Sequence, residues 1–420
     1  MPPYTVAVIG AGPAGCVLAR LLSLKASAKV TVFEAEESID ARGQGGTLDL
    51  HEDTGLLALR ECGLYDDFRK YARFDGEAIK ICDKKMLNYI NFGGTTATNS
   101  RGRPEIDRQS LRKILLDSLP PAQIRWNHRL RNVSTSPALT LHFDNGFVES
   151  HYDLIVGADG AWSKPRSLLT DTRPYYSGVF GNYFRLSNCE ERYPDIHRFV
   201  NRGSVFAFSD GRSITAQQMG DKSIWVGCSG VKPADFAETC GWDVNDPKAA
   251  KAARLEEYHD WAPLLKKIIQ VVDEDYTMGK PLYMLPVGHR WDHRQGITLI
   301  GDAAHLMTPY AGEGVNLAMK DAVNLAKAII DADADAETGT ERALLDHKVQ
   351  AFEEEMFVRA GRVAAQTERA MQLVLFEEGA PRRSIERYII NMAEGDVPWL
   401  AMPVIRFLVY SFFFFYKLLY

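Results

Sequence analysis

Hydrophobic and polar positions in the first 35 residues predict a strand, a glycine-rich turn, a helix and a second strand. The apolar run "YTVAVI" at positions 4–9 leads into "GAGPAG", and from Cys16 to Leu24 the apolar residues recur at helical spacing. The run "KVTVFEA" at 29–35 then has the composition of a strand. We therefore expect the chain to open with a β-turn-α-β unit.

Two more helices and a buried strand are predicted before residue 160. The stretches at 53–71, "DTGLLALRECGLYDDFRKY", and at 105–119, "EIDRQSLRKILLDSL", carry apolar residues at spacings of three and four. The segment from Leu154 to Val156 is continuously apolar. We expect it to be a strand that is covered on both faces.

The pattern changes character between about 173 and 290. Aromatic-rich segments such as "RGSVFAFSD" and "KSIWVGCSG" alternate in the way that is typical of an antiparallel sheet. A strand and turn in "GITLIGDAAH" follow, and helices are predicted from Gly314 to about Ala332 and from about Glu341 to Phe376.

These patterns predict an α/β fold in which a Rossmann-like domain is interrupted by an inserted antiparallel-sheet domain and followed by a C-terminal helical segment. The expected segments are 1–172 and 291–335 for the two parts of the first domain, 173–290 for the inserted domain, 336–397 for the C-terminal helices and 398–420 for a hydrophobic tail.

The tail from Trp399 to Tyr420 is almost entirely apolar and is interrupted by Pro403, Arg406 and Lys417. Its uninterrupted part, Phe407 to Tyr416, has ten residues, whereas a transmembrane helix needs ~20. Two interpretations stay open, a terminal helix packed on the protein or a partner, and an anchor that lies at a membrane surface.

Composition and charge restrict the partners. The 420 residues carry a formal net charge of -6 without a basic stripe, so nucleic acid is not expected as a partner. Six scattered cysteines without a C-x-x-C pair indicate reduced packing residues, and no metal site is predicted. The N-terminus lacks a basic region before its apolar run, so we expect a cytoplasmic protein, and association with a membrane through its tail stays open.

The first motif with a chemical meaning is "VIGAGPAG", with Gly10, Gly12 and Gly15 between a predicted strand and helix. These glycines allow a tight turn, close approach of the backbone to a diphosphate, and close packing of helix on strand. Glu34 ends the next strand and can accept a hydrogen bond from a ribose hydroxyl. The motif predicts dinucleotide binding, with FAD or NAD favoured over NADP.

Two later motifs place polar groups at further strand ends. "DLIVGADGAWSKPR" puts Asp159 after a buried strand, and "GDAAHLMTPYAGEGVNLAMKDA" puts Asp302 after another. Gly312, Gly314 and Val315 follow at a helix start, where unpaired N–H groups favour negative charge. Two such sites and a Rossmann turn fit one long ligand that lies across the domain.

Taken together, the three motifs resemble the FAD-dependent aromatic hydroxylase family, the single-component flavoprotein monooxygenases similar to p-hydroxybenzoate hydroxylase. Within that family, "GGTLDLH" at 45–51 and "RPEIDRQSLRKILLDSL" at 103–119 look like the tetracycline-inactivating branch and its relatives in fungal secondary metabolism. The resemblance implies a Rossmann-like FAD-binding domain with an inserted substrate domain.

The resemblance also implies residue roles. Glu34 and Arg108 would hold the adenosine and diphosphate side of FAD, and Asp49 would lie by the flavin. Asp302 would bind the ribityl and diphosphate region, and Arg42 would help to receive NADPH.

Three positions depart from the family pattern, and none removes a proposed ligand group. Pro165 stands in place of an aliphatic residue, Glu313 in place of a common Gln, and Ala318 in place of a common Gly.

The implied activity is that of an NADPH-consuming monooxygenase, which uses O2 and a flavin C4a-hydroperoxide to hydroxylate or epoxidise an aromatic or polycyclic secondary metabolite. The small-molecule substrate would be apolar or aromatic, and no general base can be named from the sequence. Two alternatives stay open, inactivation of a tetracycline-type antibiotic, and a flavin reductase or flavin-binding protein without oxygen transfer.

Overall fold

The computed structural model describes residues 4–39, 41, 45–94, 102–136, 138–335, 341–395 and 397–419. Its strands, β1 to β17 in chain order, are Thr5–Ile9, Lys29–Phe33, Thr47–Asp49, Ile79–Cys82, Asn88–Phe92, Glu105–Asp107, Ile124–Arg125, Leu130–Ser134, Thr140–Phe143, Val148–Ser150, Leu154–Gly157, Tyr175–Leu186, Ser204–Ser209, Arg212–Gln218, Ile224–Val231, Thr277–Met284 and Ile297–Leu299.

The helices, α1 to α14, are Pro13–Lys25, Gly55–Glu61, Tyr65–Arg69, Arg108–Asp117, Cys189–Arg192, Pro194–Val200, Phe236–Thr239, Pro247–Glu257, Pro263–Gln270, Asp302–His305, Gly314–Asp335, Glu341–Met371, Ile385–Ala393 and Met402–Leu419. Short 3₁₀ turns lie at Asp75–Glu77, Pro121–Gln123, Pro165–Leu168 and Pro309–Ala311, and a π-helical turn lies at Gln372–Phe376.

A parallel sheet in the order β17-β11-β1-β2-β7 forms the first layer of the molecule. Helices α1 and α11 pack against each other and bury apolar side chains in the same core as β1 and β11, for example Leu18, Val156 and Leu325. Burial of one such side chain stabilises the fold by ~1.5–3 kcal/mol. The predicted N-terminal β-turn-α-β unit is confirmed, and the strand predicted at Leu154 to Val156 is β11.

A second sheet of seven strands has the order β16-β12-β15-β14-β13-β4-β5. Its central strands are antiparallel, as the alternation between 173 and 290 predicts, while β13 and β4 run parallel. Strands β4 and β5 come from the segment before residue 173 and cross over to this sheet. The predicted α/β class, with an antiparallel sheet and a C-terminal helical segment, is confirmed, while the segment boundaries remain a proposal.

Two helix predictions differ from the structure. The helix expected at 53–71 is divided into α2 and α3, because Gly63 adopts φ +69° and ends the first helix. The helix expected from residue 105 begins only at Arg108. Residues 105–107 form strand β6 instead, since they pair with β3 and thereby bury Leu48 and Ile106.

The tail is one helix, α14, which begins at Met402 and tolerates Pro403 in its first turn. Its inner side packs Met402 and Phe413 on the protein, and its outer side is exposed and apolar. In the part of the chain that the structure describes, α14 is one helix long and apolar enough to cross a membrane by length and composition.

Candidate functional site

Four strands of the parallel sheet end at one edge, and each is followed by a residue that the sequence predicts to bind a ligand. In spatial order along the sheet, β17 leads to Asp302, β11 to Asp159, β1 to Gly10 and β2 to Glu34. Because parallel strands present their carboxyl ends on the same side, these residues lie along a single edge. This arrangement is suited to an elongated ligand.

The first turn on this edge leaves no room for side chains at two of its glycines. A Cβ at Gly10, where φ is +105°, would lie 2.4 Å from the carbonyl oxygen of Ala158, and one at Gly15 would lie 2.1 Å from that of Gly10. At Gly12, which precedes α1, a Cβ would meet no described heavy atom within 4 Å. The backbone at the helix N-terminus is therefore open to a ligand, as anion binding requires.

Glu34 is almost buried and is held against this turn by backbone amides. Its Oε2 accepts from the amide of Ala11 at 2.6 Å, and its Oε1 accepts from the amide of Glu36 at 3.0 Å. The carboxylate is thus oriented before any ligand arrives, and its remaining lone pairs can accept from a hydroxyl.

A neighbouring cation was missed by the sequence analysis. Arg112, one turn after Arg108 on α4, pairs with Glu36 at 2.5 Å and is buried. Its Nη1 is buried without a hydrogen-bond partner among the described residues. A buried N–H donor that has no described partner and lies beside the glycine-rich turn fits an anionic or polar ligand group. Arg112 lies four residues after Arg108, and this spacing indicates that both side chains are on the same face of the helix.

Asp302 and Arg108 are close enough to interact electrostatically. Both side chains are reached by solvent, yet the surrounding protein desolvates both, which is the combination expected in a concave site. Desolvation raises the pKa of Asp302, and His305, Arg108, Lys280 and Arg166 oppose that rise. Desolvation lowers the pKa of Arg108, and Asp302 opposes that effect.

Asp159 carries an unsatisfied oxygen. Its Oδ2 accepts from the amide of Lys164 at 2.9 Å, whereas Oδ1 is buried and has no hydrogen-bond partner in the described chain. Desolvation raises the pKa of this carboxyl group, against the effect of Ser163, Lys164 and Arg166. A buried acceptor without a partner costs ~1–3 kcal/mol, so a hydroxyl-bearing ligand would relieve it.

Arg166 connects two of the strand-end turns. Its Nη1 donates to the carbonyl of Ala303 at 3.0 Å, and its Nη2 donates to that of Ala161 at 2.5 Å. The turns after β11 and β17 are therefore fixed relative to each other.

The turn that carries Asp302 is held from behind by buried charges. Gly301 has φ +62° and ψ -144°, which is accessible in practice only to glycine. Its amide donates to Asp321 Oδ2 at 3.0 Å, and the same oxygen lies 2.5 Å from His305 Nε2. Arg359 donates to the other oxygen of Asp321 at 3.0 Å. His305 is thus a packed histidine that helps to position the turn.

The start of α11 lies beside β3. A Cβ at Gly312, where φ is +73°, would lie 3.4 Å from Asp49 Oδ1, while one at Gly314 would meet no described heavy atom within 4 Å. Val315 is half-buried against the core. Asn316 connects the segments, because its Nδ2 donates to the carbonyl of Asp49 at 2.9 Å. The open N-terminal turn of α11 is therefore held next to Asp49.

The aromatic side chains of the second sheet differ in their exposure. Phe184 and Phe208 are core residues, whereas Tyr183, Phe206 and Trp225 are partly exposed. The rings of Tyr183 and Trp225 stack at 6.3 Å.

This stacked pair lies next to Gly45 and Gly46, the two residues that precede β3. Trp225 packs so closely on Gly45 that a Cβ there would lie 2.2 Å from its ring. Burial raises the pKa of Tyr183, and Arg108 and Ser229 oppose that rise.

The structure brings the predicted site residues that it describes together at the carboxyl edge of the parallel sheet. The strand-end turns carry Gly10, Gly12, Gly15, Glu34, Asp159 and Asp302, while Arg108 interacts with Asp302, and Gly312, Gly314 and Val315 open α11 beside Asp49. Arg42 lies outside the described residues, so its role stays a prediction.

Known proteins share both the sequence and the fold. A family model described as "FAD binding domain" matches residues 3–347. Monooxygenase asqM of Emericella nidulans is 31% identical over 383 residues, covering 78% of this chain and 84% of the relative. Monooxygenase penA of Penicillium thymicola is 29% identical over 426 residues, covering 90% and 96%.

Solved structures of other proteins share this fold at lower sequence identity. Klebsiella pneumoniae HpxO, crystallised with FAD and uric acid, superimposes with a TM-score of 0.74 at 18% identity, covering 97% of each chain.

Proposed function

This chain belongs to the FAD-binding-domain family and is an FAD-dependent monooxygenase, and from that premise we propose that it oxygenates an electron-rich aromatic or polycyclic metabolite with NADPH and O2. The observation that supports this proposal most is the alignment of Asp302, Asp159, Gly10 and Glu34 along one sheet edge, below a second sheet with partly exposed aromatic rings.

The residues of the cleft fit FAD. Gly12 and Gly314 present open backbone at two helix N-termini, as a diphosphate and a negatively charged ring require. Oδ1 of Asp159, which has no hydrogen-bond partner among the described residues, can accept from a hydroxyl of the ligand. When bound, FAD accepts a hydride from NADPH and activates O2 for transfer of one oxygen atom.

The protein's own groups would bind and orient that cofactor. Glu34, held by two amides, would accept from a ribose hydroxyl of the adenosine part. Arg108 would neutralise diphosphate charge, and Asp302 would accept from ribityl hydroxyls. The first turn of α11 would stabilise negative charge on the reduced ring by ~0.3–1 kcal/mol or more in a dry site.

The second sheet would supply the substrate side. Apolar ring surface is offered by Tyr183, Phe206 and Trp225. Tyr310, near Ser213 and Tyr183, adds a hydroxyl group, and burial raises the pKa of this hydroxyl. Rings of this kind line most small-molecule pockets and exclude water. We therefore infer an apolar, ring-containing substrate, held by stacking and by a few hydroxyl hydrogen bonds.

The overall reaction would consume one NADPH, one proton and one O2 for each substrate. One oxygen atom would enter a substrate C–H or C=C bond, and the other would leave as water. Arg42 stays the predicted NADPH contact. Tetracycline-type antibiotics remain a second substrate class, because "GGTLDLH" at 45–51 resembles the branch that inactivates them.

An isotope experiment tests this proposal. NADPH oxidation would be followed with a panel of fused-ring phenols, enols and tetracyclines under ¹⁸O2, with mass spectrometry of the products. We expect at least one substrate to gain a single labelled oxygen in proportion to NADPH consumed. If NADPH oxidation yields only hydrogen peroxide across the panel, the proposed substrate class is wrong.

We also propose that α14 lies on a membrane surface. Its outward residues Val404, Phe407, Leu408, Phe414 and Leu418 are 58–70% exposed and follow helical spacing. Water-facing helices of soluble proteins rarely present so continuous an apolar stripe. A helix fixed to the protein along one side and apolar along the other suits insertion parallel to the membrane plane.

A further inference from the structure

His51 lies between two carboxylates that come from distant parts of the chain. Its Nε2 is 2.9 Å from Asp49 Oδ2, and its Nδ1 is 3.4 Å from Glu313 Oε1. The side chain of His51 is 13% exposed, so the imidazole is largely removed from water. We call these three residues the His51 cluster.

The His51 cluster is held rigidly at the start of α11. The amide of His51 donates to Asn316 Oδ1 at 2.9 Å, and Nδ2 of the same asparagine donates to the carbonyl of Asp49 at 2.9 Å. Asp49 Oδ1 also lies beside Gly312, in the segment that opens α11. The cluster therefore adjoins the helix terminus that the proposed function places against the flavin.

The imidazole is a cation at neutral pH, because both of its nitrogens face carboxylates. Burial lowers the pKa of His51, but Asp49 and Glu313 outweigh it and raise the pKa to about 9. Burial raises the pKa of Asp49, yet His51 and Arg103 bring it below its usual value. Glu105 is a further charged neighbour of Asp49, and its pKa is raised by burial, with a smaller contribution from Asp49.

Glu313 lies directly before Gly314, the first residue of α11. An added carboxylate at a helix N-terminus close to a redox ring would oppose reduction, since reduction adds negative charge to the ring. The His51 imidazole lies against the Glu313 carboxylate, and its positive charge offsets the negative charge of that carboxylate.

We propose that His51 is a positioning residue that sets the charge at the start of α11 and thereby the reduction potential of the bound flavin. The proposal rests on the proposed function, because it requires FAD in this cleft. With His51 protonated and both carboxylates ionised, the cluster carries one net negative charge. Removal of the His51 cation gives the cluster two net negative charges, and removal of the Glu313 carboxylate gives it a net charge of zero.

The test is the midpoint potential of the flavin in the holoenzyme, measured by spectroelectrochemical titration at neutral pH. We expect His51→Asn to shift the potential to more negative values and Glu313→Gln to shift it to more positive values. Each shift should change the ratio of reduced to oxidised flavin about tenfold at a fixed potential. The double variant should return to the wild-type potential, since its net cluster charge is again one negative.

A matched control is Glu52→Gln, which removes a carboxylate of the neighbouring residue that is 57% exposed and pairs with Arg60. It should leave the potential unchanged, because solvent screens this charge. A pH series adds an independent readout. The difference between wild type and His51→Asn should shrink above pH ~9, where the imidazolium loses its proton.

Equal potentials in wild type, His51→Asn and Glu313→Gln, with full flavin content in each, would overturn the inference while the proposed function stands. If His51→Asn does not fold, the direction of the Glu313→Gln shift decides, and no shift overturns the proposal. A wild-type chain that binds no FAD would instead contradict the proposed function.

Discussion

Asp321 accepts a hydrogen bond from the backbone amide of Gly301 at 3.0 Å, and this contact joins helix α11 to the turn that carries Asp302. Asp321 is fully buried, and it also contacts His305 and Arg359. Burial raises the pKa of Asp321, but His305 and Arg359 outweigh it and keep the pKa below its usual value. A single carboxylate thus holds the Gly301 turn, His305 and Arg359 together behind the proposed FAD site.

Replacement of Asp321 by Asn should destabilise the protein and weaken flavin binding together. The substitution leaves His305 and Arg359 without their buried counter-charge, which costs ~3–5 kcal/mol. Chemical denaturation and the FAD-to-protein ratio after purification would measure both effects. Asp335→Asn on the same helix is the matched control, because its carboxylate is exposed and pairs with Lys348 at the surface. It should change stability by ~1 kcal/mol at most.

Replacement of Glu34 by Gln should raise the Kd for FAD about tenfold. Gln lacks the charge and one of the two acceptor oxygens of Glu34, so the hydrogen bond from a ribose hydroxyl loses its charge assistance, at ~1–1.5 kcal/mol. Fluorescence titration of the apoprotein with FAD would measure the change. Glu37→Gln, at an exposed position three residues on, should bind FAD like wild type. Unaltered affinity in Glu34→Gln would refute the ribose assignment.

Glu105 should make stability fall as the pH rises from 4.5 to about 7. Burial raises its folded-state pKa from 4.5 to about 7, so over this range the folded chain binds more protons than the unfolded chain, and stability declines. Above pH ~7 the loss is complete, at up to about 3 kcal/mol.

The variant Glu105→Gln removes this titration and keeps an acceptor for Ser204. It should be more stable than wild type at pH 8, with the difference nearly absent at pH 4.5, as determined by denaturation at both values. A difference that does not depend on pH would contradict the assignment.

Charged substitutions on the outer side of α14 should release the protein from lipid. We expect the wild-type chain to co-sediment with phosphatidylcholine vesicles and Phe407→Glu/Phe414→Glu to stay in the supernatant, because both rings face outward. Val148→Glu, at an exposed apolar position on β10, serves as the control and should sediment like wild type. Sedimentation of the double variant with vesicles would exclude this face as the anchor.

Local sequence patterns were sufficient to predict the sheet edge and its residues. Gly10, Glu34, Asp159 and Asp302 each follow an apolar strand within a few residues, so a short segment determines both the strand and the position of its polar end. The prediction of the fold class succeeded for the same reason.

Contacts between distant segments could not be predicted in this way. His51 and Asn316 are hydrogen-bonded although they are 265 residues apart in sequence, and no local pattern indicates that pairing. Residues 105–107 continue a helical pattern, but pairing with β3 determines their conformation. Strands β4 and β5 likewise join the second sheet through pairing with β13.

We propose that FAD lies along the sheet edge and reaches Asp302. The most direct test is the flavin content of purified Asp302→Ala, measured by absorbance and compared with wild type prepared in parallel. Asp331→Ala on α11, away from the edge, controls for the loss of a carboxylate. We predict that Asp302→Ala folds but retains little FAD while the control is saturated, whereas a fully flavin-loaded Asp302→Ala would contradict the account.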